Sequence, residues 1–195
     1  MLFGVDYYPE HWPVERWAQD AAQMRGLGLD YVRIAEFAWA KMEPSAGQFD
    51  WAWLDQAMEV LAAAGLRLIL GTPTAAPPAW LIHAHPDILP VDAEGRRRRH
   101  GGRRHVCANA PEFQAASDRI VHALAERYWQ HAALVGWQID NEFGGGSTTR
   151  CYCPHCAAAF RRWLMRRYES IEAVNDAWRA VFWSQTYNDF SQIEP

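Results

Sequence analysis

Short apolar runs alternate four times with amphipathic helical patterns, and this alternation constrains the chain more than any other feature. It specifies strand-helix units whose strands lie parallel in one sheet. Phe3 to Tyr7 reads as the first strand, followed by a helix from about Val14 to Leu27 in which Trp17, Ala21, Met24 and Leu27 recur at helical spacing. Tyr31 to Ile34 is the second strand. Asp50 is placed to cap a helix with Leu54, Ala57, Met58 and Leu61 on its apolar face, and Gly65 stands where a left-handed C-terminal cap belongs. Leu66 to Leu70 gives the third strand. A helix from about Glu112 to Trp129 leads to the fourth, Leu134 to Ile139, whose continuous apolar character suits a strand buried on both faces. Two further helical patterns, Ala157 to Tyr168 and Ile171 to Phe182, precede a polar tail. No repeat, low-complexity linker or second domain stands out.

The connection from Thr72 to Asn109 contains Pro73, Pro77, Pro78, Pro86 and Pro90 and the arginine-rich run from Arg96 to Arg104. Connections of this length inside a domain are usually functional. The run by itself reads as a nucleic-acid tether or as a solvated loop. The second reading is preferred because the chain is acidic overall, with 19 Lys plus Arg against 23 Asp plus Glu. The N-terminus lacks a basic segment followed by an apolar one, and no apolar stretch approaches the roughly 18 to 20 residues of a membrane span. The expectation is a cytoplasmic protein with neither nucleic acid nor membrane as partner. Eleven Trp in 195 residues suit a large core or a site that stacks on sugar rings.

Asp140-Asn141-Glu142 follows the fourth strand directly, at the edge where parallel α/β folds place their active sites. Glu142 is therefore the leading catalytic candidate. Flanked by Trp137 and Phe143, its carboxyl could be kept protonated near neutrality by desolvation, as a general acid requires; a polar group that merely ends the strand is the alternative. Asp6, Arg33 and Glu36 stand at the matching ends of the first two strands. Arg33 could pair with Glu36, or fork onto adjacent sugar hydroxyls. Cys151, Cys153 and Cys156, with Cys107 from the long connection, form a four-thiolate set suited to tetrahedral Zn(II), a closed and hence structural site; free or redox-active thiols are the alternative.

Six segments together carry a family resemblance: Gly4-Val5-Asp6-Tyr7-Tyr8-Pro9-Glu10-His11-Trp12, Val32-Arg33-Ile34-Ala35-Glu36-Phe37-Ala38-Trp39, the segment from Gly71 to Trp80, Gly136-Trp137-Gln138-Ile139-Asp140-Asn141-Glu142, Cys151-Tyr152-Cys153-Pro154-His155-Cys156, and Phe182-Trp183-Ser184-Gln185-Thr186-Tyr187. In this order they resemble the β-galactosidases of glycoside hydrolase family 42, and the similarity covers essentially all 195 residues. The resemblance implies the N-terminal half of a (β/α)8 TIM barrel, with residues 1–195 forming a partial barrel domain incomplete at its C-terminus. It also implies retaining hydrolysis of terminal β-galactosides with Glu142 as general acid/base. Asn141 would then bond the sugar 2-hydroxyl, Arg33 and Arg103 other hydroxyls, and Trp183 would wall the sugar. Cys107, Cys151, Cys153 and Cys156 match the family's structural zinc ligands. No organic cofactor is implied, and the complete protein would be a homo-oligomer, a trimer by resemblance.

Nothing in the chain matches the family's nucleophilic glutamate, and retention needs two carboxyl groups about 5 to 5.5 Å apart. The expectation is that these residues alone are inactive. The rival reading is a zinc-stabilised module that binds a saccharide or nucleic acid without catalysis.

Overall fold

A computed structural model describes residues 2–102, 105–144 and 150–195. Four strands, β1 (Gly4–Asp6), β2 (Tyr31–Ile34), β3 (Arg67–Gly71) and β4 (Leu134–Gln138), form one sheet in the order β1-β2-β3-β4. Every neighbouring pair is parallel. Parallel neighbours need a crossover, and helices supply it: α1 (Val14–Gly26) joins β1 to β2. A single turn, α2 (Trp39–Met42), and α3 (Ala52–Ala63) join β2 to β3. The third crossover holds α4 (Ala79–Ala84) and α5 (Pro111–Tyr128).

Alternation along the strands divides the sheet into two faces. Val32, Ile34, Leu68 and Leu70 are fully buried, whereas their neighbours Tyr31, Arg33 and Ile69 are half-buried. The buried set belongs to the core that also contains Trp17 and Ala21 of α1 and Leu54, Met58 and Leu61 of α3, the two helices packing side by side. The other face lines an open cleft of about 390 Å³ between Gly4, Asp6, Tyr31, Arg33, Trp137 and Gln138.

The chain separates into two compact units, Met1–Pro86 with Ala115–Gly145, and Asp87–Gln114 with Gly146–Pro195. The first holds the sheet. The second is built on α6 (Pro154–Tyr168) and α7 (Ile171–Trp178), whose Leu164 and Val174 bury together with Ile193 and gather Phe160, Tyr168, Tyr187 and Phe190 around them. Ser170 caps α7, its hydroxyl accepting from Ala173 N at 3.2 Å. Asn175 clasps the segment that follows, donating to Tyr187 O at 2.7 Å and accepting from Tyr187 N at 2.9 Å. The C-terminal stretch that reads as a polar tail is thus part of a folded core.

Element order and strand positions follow the sequence pattern, and β4, α7 and α6 differ from it in detail. β4 is not buried on both faces: Val135 is 53% exposed, and among the described residues β4 pairs with β3 alone. α7 ends at Trp178 instead of continuing to Phe182, since Arg179 takes left-handed geometry (φ 56°). α6 begins at Pro154, where a proline at the first helical position loses no intrahelical hydrogen bond. Gly65 closes α3 with φ +82°, as its position suggested.

Candidate functional site

Strand register delivers the first polar group of the rim. Asp6 lies opposite Arg33 in the β1–β2 ladder, and Arg33 Nη2 pairs with Asp6 Oδ2 at 2.6 Å. Ala35, with φ 81°, then turns the chain so that Glu36 returns to the same guanidinium, accepting from Arg33 Nε at 3.1 Å. Glu36 is fully buried. It fits there because Gly71, at the end of β3, has no side chain: a Cβ on Gly71 would stand 2.3 Å from Glu36 Cβ and 2.7 Å from its Cα. Arg33 therefore pairs with Glu36, as one of its two expected readings had it, and lines the cleft. The Tyr8 phenol has its pKa raised, first by burial and next by the Glu36 charge.

Beyond β3 and β4 a network of short bonds fixes the Asp140-Asn141-Glu142 segment. Thr72 N continues the ladder to Gln138 O at 2.9 Å. Asp140 N donates to Thr72 Oγ1 at 2.7 Å, Thr74 Oγ1 donates to Asp140 Oδ2 at 2.7 Å, and Asp140 Oδ1 accepts from Asn141 N at 2.6 Å. Gln138 Nε2 donates to both Asp140 O (2.8 Å) and Asn141 Oδ1 (3.0 Å). These bonds hold Asp140 in left-handed backbone (φ 56°), a conformation that costs an L-residue roughly 1–2 kcal/mol and persists where surrounding contacts over-determine it; Glu142 is left-handed too (φ 48°). Thr72, Thr74, Gln138 and Asp140 were not singled out by the sequence reading. The threonines just past an apolar strand, facing an Asp just past its neighbour, are the signal that could have found them.

The Glu142 and Phe143 side chains are exposed, Phe143 by 74%. Glu142 is thus exposed where an apolar enclosure was expected from its sequence neighbours. The other carboxylates near strand ends are committed elsewhere. Glu43 is fully buried, with Oε1 accepting from Arg119 Nε at 2.8 Å and Gly47 N at 2.7 Å and Oε2 from Trp39 Nε1 at 2.8 Å. Arg33, Asn141 and Glu142 are thus brought to the C-terminal edge of one sheet. Trp183 belongs to the second unit, 79% exposed and edge-on to Phe182. Arg103 lies outside the described residues.

The four cysteines meet in the second unit. All four Sγ atoms lie within 4.8 Å of one another, with Cys107–Cys156 at 3.4 Å and Cys107–Cys153 at 3.5 Å, and none is in a disulfide. Four thiolates at about 2.3 Å from one ion in tetrahedral array would stand roughly 3.8 Å apart, so the donor set fits a metal of that geometry. Cys107 N is fixed to Ile88 O at 2.7 Å and Tyr152 N to Val91 O at 2.9 Å, so backbone bonds hold both ends of the cluster. Val91 N and Asn109 Nδ2 donate to the sulfurs of Cys151 (3.4 Å) and Cys156 (3.2 Å). Burial pushes the Cys156 thiol up to about 11 and the Cys107 thiol further still. Burial acts the same way on Cys153, but the backbone N–H of Cys156 and the neighbouring thiols outweigh it and lower that thiol.

Two arginines of the basic run are engaged within their own loop. Arg96 pairs with Asp92 (2.9 Å) and Glu94 (3.0 Å), and Arg97 with Asp87 (2.7 Å). No helix among the described residues is long and apolar enough to cross a membrane.

Comparison with known proteins adds context to this geometry. The Glyco_hydro_42 family model, described as Beta-galactosidase, matches residues 6–195. Beta-galactosidase BgaA of a Thermus species is 56% identical over 193 residues, covering 99% of this chain and 30% of the relative. The crystal structure of a β-galactosidase from the psychrophilic Marinomonas ef1 superposes with TM-score 0.96 at 47% identity, covering 100% of this chain and 30% of that one. A polyextremophilic β-galactosidase from Halorubrum lacusprofundi gives TM-score 0.97 at 49% identity, with 100% and 29% covered. The chain spans about 30% of the length of the curated relatives it matches.

Proposed function

Because the chain belongs to the Glyco_hydro_42 family of β-galactosidases, we propose that it supplies the acid/base half of a retaining β-galactosidase active site, as the N-terminal part of a (β/α)8 barrel. The observation that carries this reading is the Thr72-Thr74-Asp140 network, which fixes Asn141-Glu142 at the C-terminal edge of the parallel sheet, where barrel enzymes assemble their sites. In the first step Glu142 donates its proton to the glycosidic oxygen as that bond breaks; in the second, its carboxylate takes a proton from water. Asn141, its amide oxygen already held by Gln138, binds the 2-hydroxyl, where a hydrogen bond strengthens as charge develops at the anomeric carbon. Arg33, held from two sides by Asp6 and Glu36, presents the rest of its fork to other hydroxyls. Arg103 and Trp183 are assigned to the same sugar by resemblance.

The attacking carboxylate comes from outside residues 1–195. Glu36 and Glu43 are occupied by Arg33 and Arg119, and Asp6 by Arg33, so each is committed to holding structure. The isolated 195 residues are accordingly inactive, and the complete enzyme is a cytoplasmic homo-oligomer. Cys107, Cys151, Cys153 and Cys156 hold a structural Zn(II). Four thiolates would leave no open coordination position, so a bound ion would tie the segment 88–107 to the start of α6 and would take no part in hydrolysis.

Proton NMR of a fresh digest by the complete enzyme tests the mechanism. The first-formed galactose is the β-anomer; appearance of the α-anomer first would overturn retention.

A further inference from the structure

Gln138 ends β4, and the ladder fixes its backbone: it lies opposite Gly71, and its carbonyl accepts from Thr72 N at 2.9 Å. Its side chain turns to the residues just beyond the strand, with Nε2 at 2.8 Å from Asp140 O and 3.0 Å from Asn141 Oδ1. A backbone carbonyl can only accept a hydrogen bond, so the end of the Gln138 amide that meets Asp140 O is its NH2 group. That group in turn requires an acceptor of Asn141, whose amide is thereby set with Oδ1 toward Gln138 and Nδ2 turned the other way. The residue that supplies the deciding carbonyl is itself anchored, since Asp140 is held by Thr72 and Thr74. The arrangement has a cost: Gln138 Oε1 is buried with no hydrogen-bond partner among the described residues. Turning the amide over to relieve it would set Oε1 against the carbonyl of Asp140. A buried polar atom left unpaired in a native fold calls for a reason, and here both N–H bonds of the same amide are engaged in ordering the two residues before Glu142.

We propose that Gln138 is a positioning residue of the glycosidase site: by holding Oδ1 of Asn141 it makes Nδ2 the end that meets the sugar, so that the 2-hydroxyl accepts from Asn141. This rests on the reading that Asn141 contacts the 2-hydroxyl. A hydroxyl that accepts from Asn141 keeps its own proton to donate elsewhere, and hydrogen bonds at this position strengthen in the transition state, as positive charge develops at the neighbouring carbon. With the Asn141 amide reversed, Oδ1 would compete for that proton. Gln138 touches no reacting atom in this scheme and acts through Asn141 alone.

Kinetics of the complete enzyme on an aryl β-galactoside and its 2-deoxy analogue test this. Gln138→Glu keeps the size of the side chain but presents a carboxylate to two acceptors, and Gln138→Met keeps its length with no donor at all. Each is expected to lose about 10²-fold in kcat/KM on the galactoside, the scale of a misplaced contact, and less than about threefold on the 2-deoxy analogue, which has no 2-hydroxyl to misplace. In an Asn141→Ala background the same substitutions add less than about threefold, because groups that act through one another are not additive. Equal losses on the two substrates, or losses that multiply in the Asn141→Ala background, would overturn the proposal and leave Gln138 a structural end to β4. Asn141→Ala by itself keeps two failures apart. If it spares the 2-deoxy analogue while the Gln138 variants do not, Gln138 does not orient the amide. If it too loses equally on both substrates, the assignment of Asn141 to the 2-hydroxyl falls and the proposal falls with it.

Discussion

The sheet rim and the cysteine cluster both gather polar groups from distant parts of the sequence, but by opposite means. At the rim, ladder register sets Asp6 against Arg33, and Arg33 and Glu36 offset each other's charge. Asp140 is held by two threonines and a backbone amide. Its groups are thus oriented by their own mutual bonds. In the cluster the segment from Ile88 to Val91, the helix start at Pro154 and the backbone of Cys107 converge, and four sulfurs are brought within 4.8 Å of one another, a donor set that could hold an ion. The rim is oriented by bonds among its own side chains, whereas in the second unit backbone bonds hold the ends of a thiol cluster whose donor set fits a metal.

Breaking the cluster should therefore be the more disruptive change for stability. Cys153→Ser, which removes the most central of the buried sulfurs, is expected to lose about one equivalent of zinc and to cost more than about 3 kcal/mol, since binding energy at a structural site is folding energy. Metal analysis and thermal unfolding check this together. Unchanged stability after loss of the metal would show that the loop is held by protein contacts, as the rim is. A smaller effect is expected at the rim. Gly71→Ala places a methyl 2.3 Å from Glu36 Cβ, and overpacking of this kind typically costs about 1–3 kcal/mol. Its particular mark is that displacement of Glu36 loosens Arg33, so kcat/KM for galactosides should fall along with the unfolding midpoint. A fall in the midpoint alone would separate Glu36 from the sugar site.

Much of this architecture is legible in the residues because it depends on local periodicity. Tyr31–Ile34 is a strand in both readings, and the apolar stripe of Leu54, Met58 and Leu61 is the buried face of α3. The thiol set was legible from residue type and spacing alone. What was not legible depends on who lies beside whom. The apolar letters of β4 describe a strand able to be buried, but whether Val135 is covered depends on what packs against its face, and it is exposed. Glu142 could be placed at a strand end, whereas the left-handed turn at Asp140 just before it is tied to Thr72 and Thr74, more than sixty residues away. Gly71 is similar: only the position of Glu36 explains why a side chain is excluded there.

The central claim is that Glu142 is the proton donor of a galactosidase site. It is tested most directly by the dependence of Glu142→Gln on leaving-group basicity in the complete enzyme. A general acid contributes about 10²–10⁴-fold where the departing oxygen needs a proton. The variant should therefore lose about a thousandfold in the glycosyl-transfer step on lactose-like substrates, and nearly nothing in that step on an aryl galactoside whose phenolate leaves unaided. An equal loss on both substrates would contradict the assignment and give the exposed glutamate at the end of β4 a purely structural role.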